Sequence, residues 1–166
     1  MRASIGHPGT VYLAGHSAGA YNAVMMTIDD RWLRTHDLHP CEAIVGKVGL
    51  AWPYDFLPLQ SASLRAIFGP KHQRERAQPI NSVNGNVPPL MLASGLDDST
   101  VFPQNSRRLA QKTQQMGGSA VTRFYDDIGH IWLVATLALL FRHLAPVQGN
   151  MDGFFKQHPQ PRGCNG

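Results

Sequence analysis

A chain of 166 residues has room for one domain with a real core and too little for two ordinary ones. Its 43 % apolar and 16 % charged residues exclude a disordered polymer. Fifteen basic against eleven acidic residues leave a formal charge of +4, a modest and scattered excess that argues against a nucleic-acid partner.

In chain order, Met1 to Gly6 has no apolar signal-like stretch, so the compartment expected is cytoplasmic. After a turn at Gly6 to Gly9, Val11-Tyr12-Leu13-Ala14 is a short apolar run suited to a buried strand. Gly15 to Gly19 turns the chain, and Ala20 to Ile28 reads as a helix rich in Ala and Met. The segment His36 to Cys41 is expected to be a polar connector, since two further ligands would be needed to make it a metal site. Ala43 to Ala51 is a second apolar strand, stopped by Trp52-Pro53. Residues 56–87 show no sustained period and read as a surface excursion with one short helix around Leu64. Within them Lys71 to Arg76 contains Glu75 and no aromatic residue, and reads as a solvated loop.

Pro88-Pro89 introduces a third strand, Leu90 to Ser94, and Pro103 opens a helix that runs to Met116. Ala120 to Tyr125 is a fourth strand. The longest apolar run, Ile131 to Phe141, falls well short of the ~20 residues a membrane span needs, so a long buried helix to His143 is expected. Beyond Gln157 the Pro/Gly-rich tail is expected to fray. The two cysteines, Cys41 and Cys164, are too few for a disulfide scaffold and lack zinc-ligand spacing. This alternation of strands and helices predicts an α/β fold, a parallel sheet of about four strands flanked by helices.

Gly15-His16-Ser17-Ala18-Gly19 matches the G-x-S-x-G turn that lifts a nucleophilic serine clear of the backbone between a strand and a helix. Small residues on both sides of Ser17 would let strand and helix approach. A serine hydroxyl needs a base. Of eight histidines, His130 follows a predicted strand and Gly129 and precedes a helix, on the side where parallel strands end. His16 lies inside the turn, where its side chain is not expected to reach back to Ser17. The carboxylate that orients the base is assigned to Asp98, on the loop after the third strand. Asp97 and Asp55 are its rivals, and Asp126 and Asp127 ride on the same loop as His130.

Together these residues resemble the esterase/lipase-like α/β-hydrolases, including the carboxylesterase and kynurenine formamidase-like branches. The resemblance rests on Val11 to Ala20, on Gly95, Asp98 and Val101 as G-x-x-D-x-x-V, on Gly129-His130, and on Trp52 to Phe56. It implies a serine esterase working through an acyl-enzyme, with the triad Ser17, Asp98 and His130, Ala18 N–H as an oxyanion donor, and no metal or organic cofactor. An aryl formamidase, a peptidase, or an impaired fragment acting as a binding module are the rival functions. In that family the nucleophile lies mid-domain, after several strands and an oxyanion loop rich in His and Gly, whereas Ser17 is only the seventeenth residue. The resemblance therefore implies a C-terminal half without the N-terminal strands: residues 1–157 as a partial catalytic domain and 158–166 as a flexible tail. Such a half would be a poor catalyst alone and prone to self-association, or to pairing with a missing half, through its first strand. Its partner is a small-molecule ester.

Overall fold

A computed structural model describes residues 11–164; the Met1 to Gly6 segment and the Gly6 to Gly9 turn lie outside them. The chain runs β1 (Tyr12–His16), α1 (Ala18–Ile28), α2 (Arg31–Arg34), α3 (Pro40–Ala43) and β2 (Gly46–Leu50). The excursion follows as α4 (Ala62–Ile67), α5 (Lys71–Arg76) and α6 (Pro79–Ser82). Then come β3 (Leu90–Gly95), α7 (Gln104–Gln115), β4 (Ala120–Tyr125), α8 (His130–Ala135) and α9 (Val147–Gln157).

The four strands form one parallel sheet in the order β1-β2-β3-β4. Parallel strands need crossovers, and the crossover helices cover both faces. β3 shows the consequence residue by residue. Leu90 and Leu92 pack with Val24 and Ile28 of α1 and Leu109 of α7. Met91 and Ala93 pack with Leu133 of α8 and Phe154 of α9 on the other face. Both β2 and β3 are buried along their whole length, whereas β1, one of the two edge strands among the described residues, is half-exposed.

Several expectations are corrected. Residues 43–45 do not begin the second strand: Pro40 starts a helical turn, and the ladder opens at Gly46. The excursion holds three short helices rather than one, and Lys71–Arg76 is the second of them. Its base is pinned by buried Gln78, whose Oε1 accepts from Phe56 N at 2.7 Å and Leu57 N at 3.2 Å. The long buried helix to His143 is absent. α8 ends at Ala135, where Thr136 Oγ1 donates to Leu133 O at 2.7 Å, and the chain continues in turns. Ile131 and Leu140, at 68 % and 78 % exposure, lie on the surface. The tail does not hang free: Cys164 is disulfide-bonded to Cys41 across 123 positions. Among the described residues no helix is long and apolar enough to cross a membrane.

One core residue works against stability. Lys47 of β2 is fully buried, on the face of its register partner Leu90, and its Nζ has no hydrogen-bond partner among the described residues. Burial pushes its ammonium down to about 7, because a charge without a partner is expensive in an apolar interior. Above pH 7 the native state has released this proton while the unfolded chain keeps it until about 10.5. Stability should therefore rise with pH across that window. Lys47→Met keeps the volume and removes the charge, so denaturant unfolding at pH 7 should show a gain of roughly 2–4 kcal/mol. The same variant should flatten the pH 7–10 slope; an unchanged slope would place the ammonium in contact with water.

Candidate active site

Everything at the site is set by where parallel strands end. β1 delivers Ser17, β3 delivers the loop carrying Asp98, and β4 delivers the loop before α8, which opens on His130. Ser17 has φ 53°, ψ −126°, a conformation that costs a non-glycine residue about 1–3 kcal/mol. It is held there by continuing the sheet ladder to Leu50 O at 2.9 Å, while its own carbonyl accepts from Ala20 N and Tyr21 N. The next residue, Ala18, is the first of α1, so its N–H is one of those a helix start leaves without an intrahelical partner.

The two glycines of the turn are not equivalent, which corrects the expectation that small residues are needed on both sides. A Cβ on Gly15 would meet Gly19 C and O at 2.3 Å, whereas one on Gly19 would meet nothing within 4 Å. Gly15→Ala should lower stability by about 3 kcal/mol through overpacking against backbone that cannot yield. Gly19→Ala should stay within about 0.5 kcal/mol of the parent. Urea unfolding of the two variants is the comparison; equal losses would contradict the close approach at Gly15.

Three side chains lie within hydrogen-bonding distance in a row. His130 Nε2 lies 3.1 Å from Ser17 Oγ, and His130 Nδ1 lies 2.8 Å from Asp98 Oδ2. The Asp98 side chain is fully buried and that of His130 is 12 % exposed. The other oxygen of Asp98, Oδ1, accepts from Thr100 N at 2.9 Å and Val101 N at 2.7 Å, which fixes the carboxylate plane. Beside a carboxylate that accepts, the tautomer that fits this geometry has the hydrogen on Nδ1 and a lone pair on Nε2 toward Ser17. Gly95 lets the two loops meet: a Cβ there would lie 1.8 Å from Ile128 O.

The rival carboxylates are elsewhere. Asp97, Asp126 and Asp127 are exposed, and Asp55 is paired with Arg108 at 2.9 Å. His16 does not turn to Ser17; it meets His130, with Nε2 at 3.0 Å from His130 O, a contact the sequence reading missed. The Thr100 and Val101 N–H groups that clamp Asp98 were also missed. No signal marks them, since any residue has an N–H and only the loop's turn aims it. A concavity of about 500 Å³ lined by Thr27, Arg34, His39 and Glu42 adjoins the far end of α1, away from Ser17. No group of three or more His, Cys, Asp or Glu able to hold a metal ion is found among the described residues.

No protein-family model matches the chain, and no curated protein does. Solved structures do. A truncated carbohydrate esterase from gut microbiota superposes with TM-score 0.73 at 15 % identity, over 92 % of this chain and 61 % of that one. Esterase 2 of Thermogutta terrifontis follows at TM-score 0.69 and 16 % identity, over 88 % and 55 %. An acetyl ester-xyloside bifunctional hydrolase from Caldicellulosiruptor lactoaceticus gives TM-score 0.65 at 18 % identity, over 87 % and 55 %. The chain thus spans between half and two thirds of the structures it matches, and what it shares with these esterase-type hydrolases is their parallel α/β fold.

Proposed function

We propose that this protein is a serine hydrolase of carboxylic esters in the α/β-hydrolase superfamily. On this reading residues 1–157 form the portion of the catalytic domain that corresponds to its C-terminal half, with 56–87 as a cap-like excursion. The observation that carries the reading is the Ser17–His130–Asp98 relay at the ends of β1, β4 and β3. His130 Nε2 removes the hydroxyl proton as Ser17 Oγ attacks the ester carbonyl. The carbonyl electron pair moves to oxygen, where Ala18 N–H receives it. Collapse of this adduct breaks the ester C–O bond, and His130 returns the proton to the departing alcohol. Water then repeats the sequence on the acyl-enzyme, and Asp98 keeps Nδ1 protonated and oriented throughout. This chemistry calls for no metal or organic cofactor.

The edge of β1 bears on partners. Its backbone can take up a further parallel strand, from another part of the protein or from a second copy. The reading is tested by treating the protein with a fluorophosphonate and mapping the adduct. A single phosphonyl group on the peptide containing Ser17, together with turnover of para-nitrophenyl acetate, is expected. An adduct on a different serine would overturn the assignment.

A further inference from the structure

The residue before the nucleophile is in contact with the base, and nothing in the relay described above uses it. His16 ends β1, and its Nε2 stands 3.0 Å from the main-chain carbonyl oxygen of His130. A carbonyl can only accept, so His16 Nε2 carries the hydrogen and donates. The two imidazole rings also lie against each other, with centroids 4.7 Å apart and planes tilted by 46°. One side chain therefore touches both the backbone and the ring of His130, from the position adjacent to Ser17.

We propose that His16 is a positioning residue for the base: its Nε2–H bond to the His130 carbonyl fixes the start of α8 relative to the end of β1, and so sets the Ser17–His130 distance. The inference rests on the esterase reading for its kinetic consequence and on geometry alone for its structural one. The base is the first residue of a six-residue helix whose middle and far end are anchored by buried Leu133 and Thr136, and His16 adds a hold at its first residue. Asp98 and Ser17 meet the ring at its two nitrogens, but neither holds the backbone on which the ring rides. The bond from His16 does.

The charge state of His16 fits this role. Burial lowers its affinity for a proton, outweighing the His130 carbonyl, which raises it; the nearby His130 ring lowers it and Asp98 raises it. A neutral His16 can donate from Nε2 while placing no second cation beside His130 when that ring takes up the proton of Ser17. A lysine or arginine here would also reach the carbonyl, but it would oppose the imidazolium that the reaction must form.

The test compares His16→Gln, whose amide N–H replaces Nε2–H, with His16→Phe, which keeps a ring and loses the donor, and His16→Glu, which has the length of Gln without the donor. Three readouts are taken on the full chain: kcat and KM for para-nitrophenyl acetate, the thermal midpoint, and the downfield proton resonance of His130 Nδ1–H. That resonance is assigned by its loss in Asp98→Asn. The expected result is a 10- to 100-fold fall in kcat with KM unchanged for Phe and Glu, the scale of a small misplacement of a reacting group. Their Nδ1–H resonance should broaden, while Gln stays within about threefold in kcat with a sharp resonance. Folded Phe and Glu variants with parental kcat and a sharp resonance would overturn the proposal, as would a Gln variant as impaired as both. Should Phe fail to fold, the Gln–Glu pair carries the comparison. Should the parent hydrolyse no ester, the esterase reading fails, while the resonance still reports whether His16 holds His130.

Discussion

Ser17→Ala should reduce ester turnover by about 10⁴- to 10⁶-fold, the range seen when a serine nucleophile is removed from an otherwise intact site. The variant deletes Oγ, so no acyl-enzyme can form and His130 has no hydroxyl to deprotonate. What remains is the Ala18 N–H and whatever the site binds, which can polarise a carbonyl for direct attack by water but cannot split the reaction into two easier steps. The fold should be indifferent. Ser17 is only half-buried, and alanine tolerates φ 53° no better and no worse than serine does. Ser17→Gly gives a useful contrast, because glycine adopts that conformation freely. It should be as inactive as Ser17→Ala but more stable by about 1 kcal/mol, the strain released at the turn. Steady-state hydrolysis and urea unfolding of the two variants separate chemistry from strain. Activity of Ser17→Ala within tenfold of the parent would remove the serine from the mechanism.

How far the sequence could be read depended on whether the signal was local. The parallel sheet was legible because strands buried on both faces appear as unbroken apolar runs, and Leu90 to Ser94 is such a run. The Gly15 to Gly19 turn was legible because its constraint lies within five residues: Gly15 cannot carry a Cβ with Gly19 so close. Asp97 and Asp98 are adjacent and alike in sequence, and only the turn after Gly95 distinguishes them, burying Asp98 and exposing Asp97. The segment after His130 is apolar without being one long helix. Thr136 spends its hydroxyl on the carbonyl of Leu133, a local bond that competes with helix continuation, and Leu137 and Ala138 then bond at three-residue spacing. The Cys41–Cys164 link and the His16–His130 contact span 123 and 114 positions. Nothing near any of those residues in sequence announces a partner so distant, and only the assembled sheet brings them together.

Asp98→Asn should lower kcat by about 10⁴-fold while leaving the protein folded, and the hydrogen bonds at Asp98 explain why so small a change costs so much. Oδ1 is committed to the N–H groups of Thr100 and Val101, and in the variant only the amide oxygen can keep accepting those two bonds. The amide nitrogen must then occupy the place of Oδ2, 2.8 Å from His130 Nδ1, where it donates. His130 is forced to accept at Nδ1 and so carries its hydrogen on Nε2, facing Ser17 with a donor instead of a lone pair. The base is present, in place and in the wrong tautomer. Asp97→Asn supplies the control, since that side chain is exposed on the same loop and should change kcat less than threefold. Asp55→Asn should break only the pair with Arg108, itself 55 % exposed, costing at most about 1 kcal/mol of stability and little activity. The signature of the tautomer argument is that Asp98→Asn loses kcat at every pH, with no recovery at alkaline pH, because the fault is not one of charge alone. Equal losses at Asp97 and Asp98, or the larger loss at Asp55, would move the acid of the relay to another carboxylate.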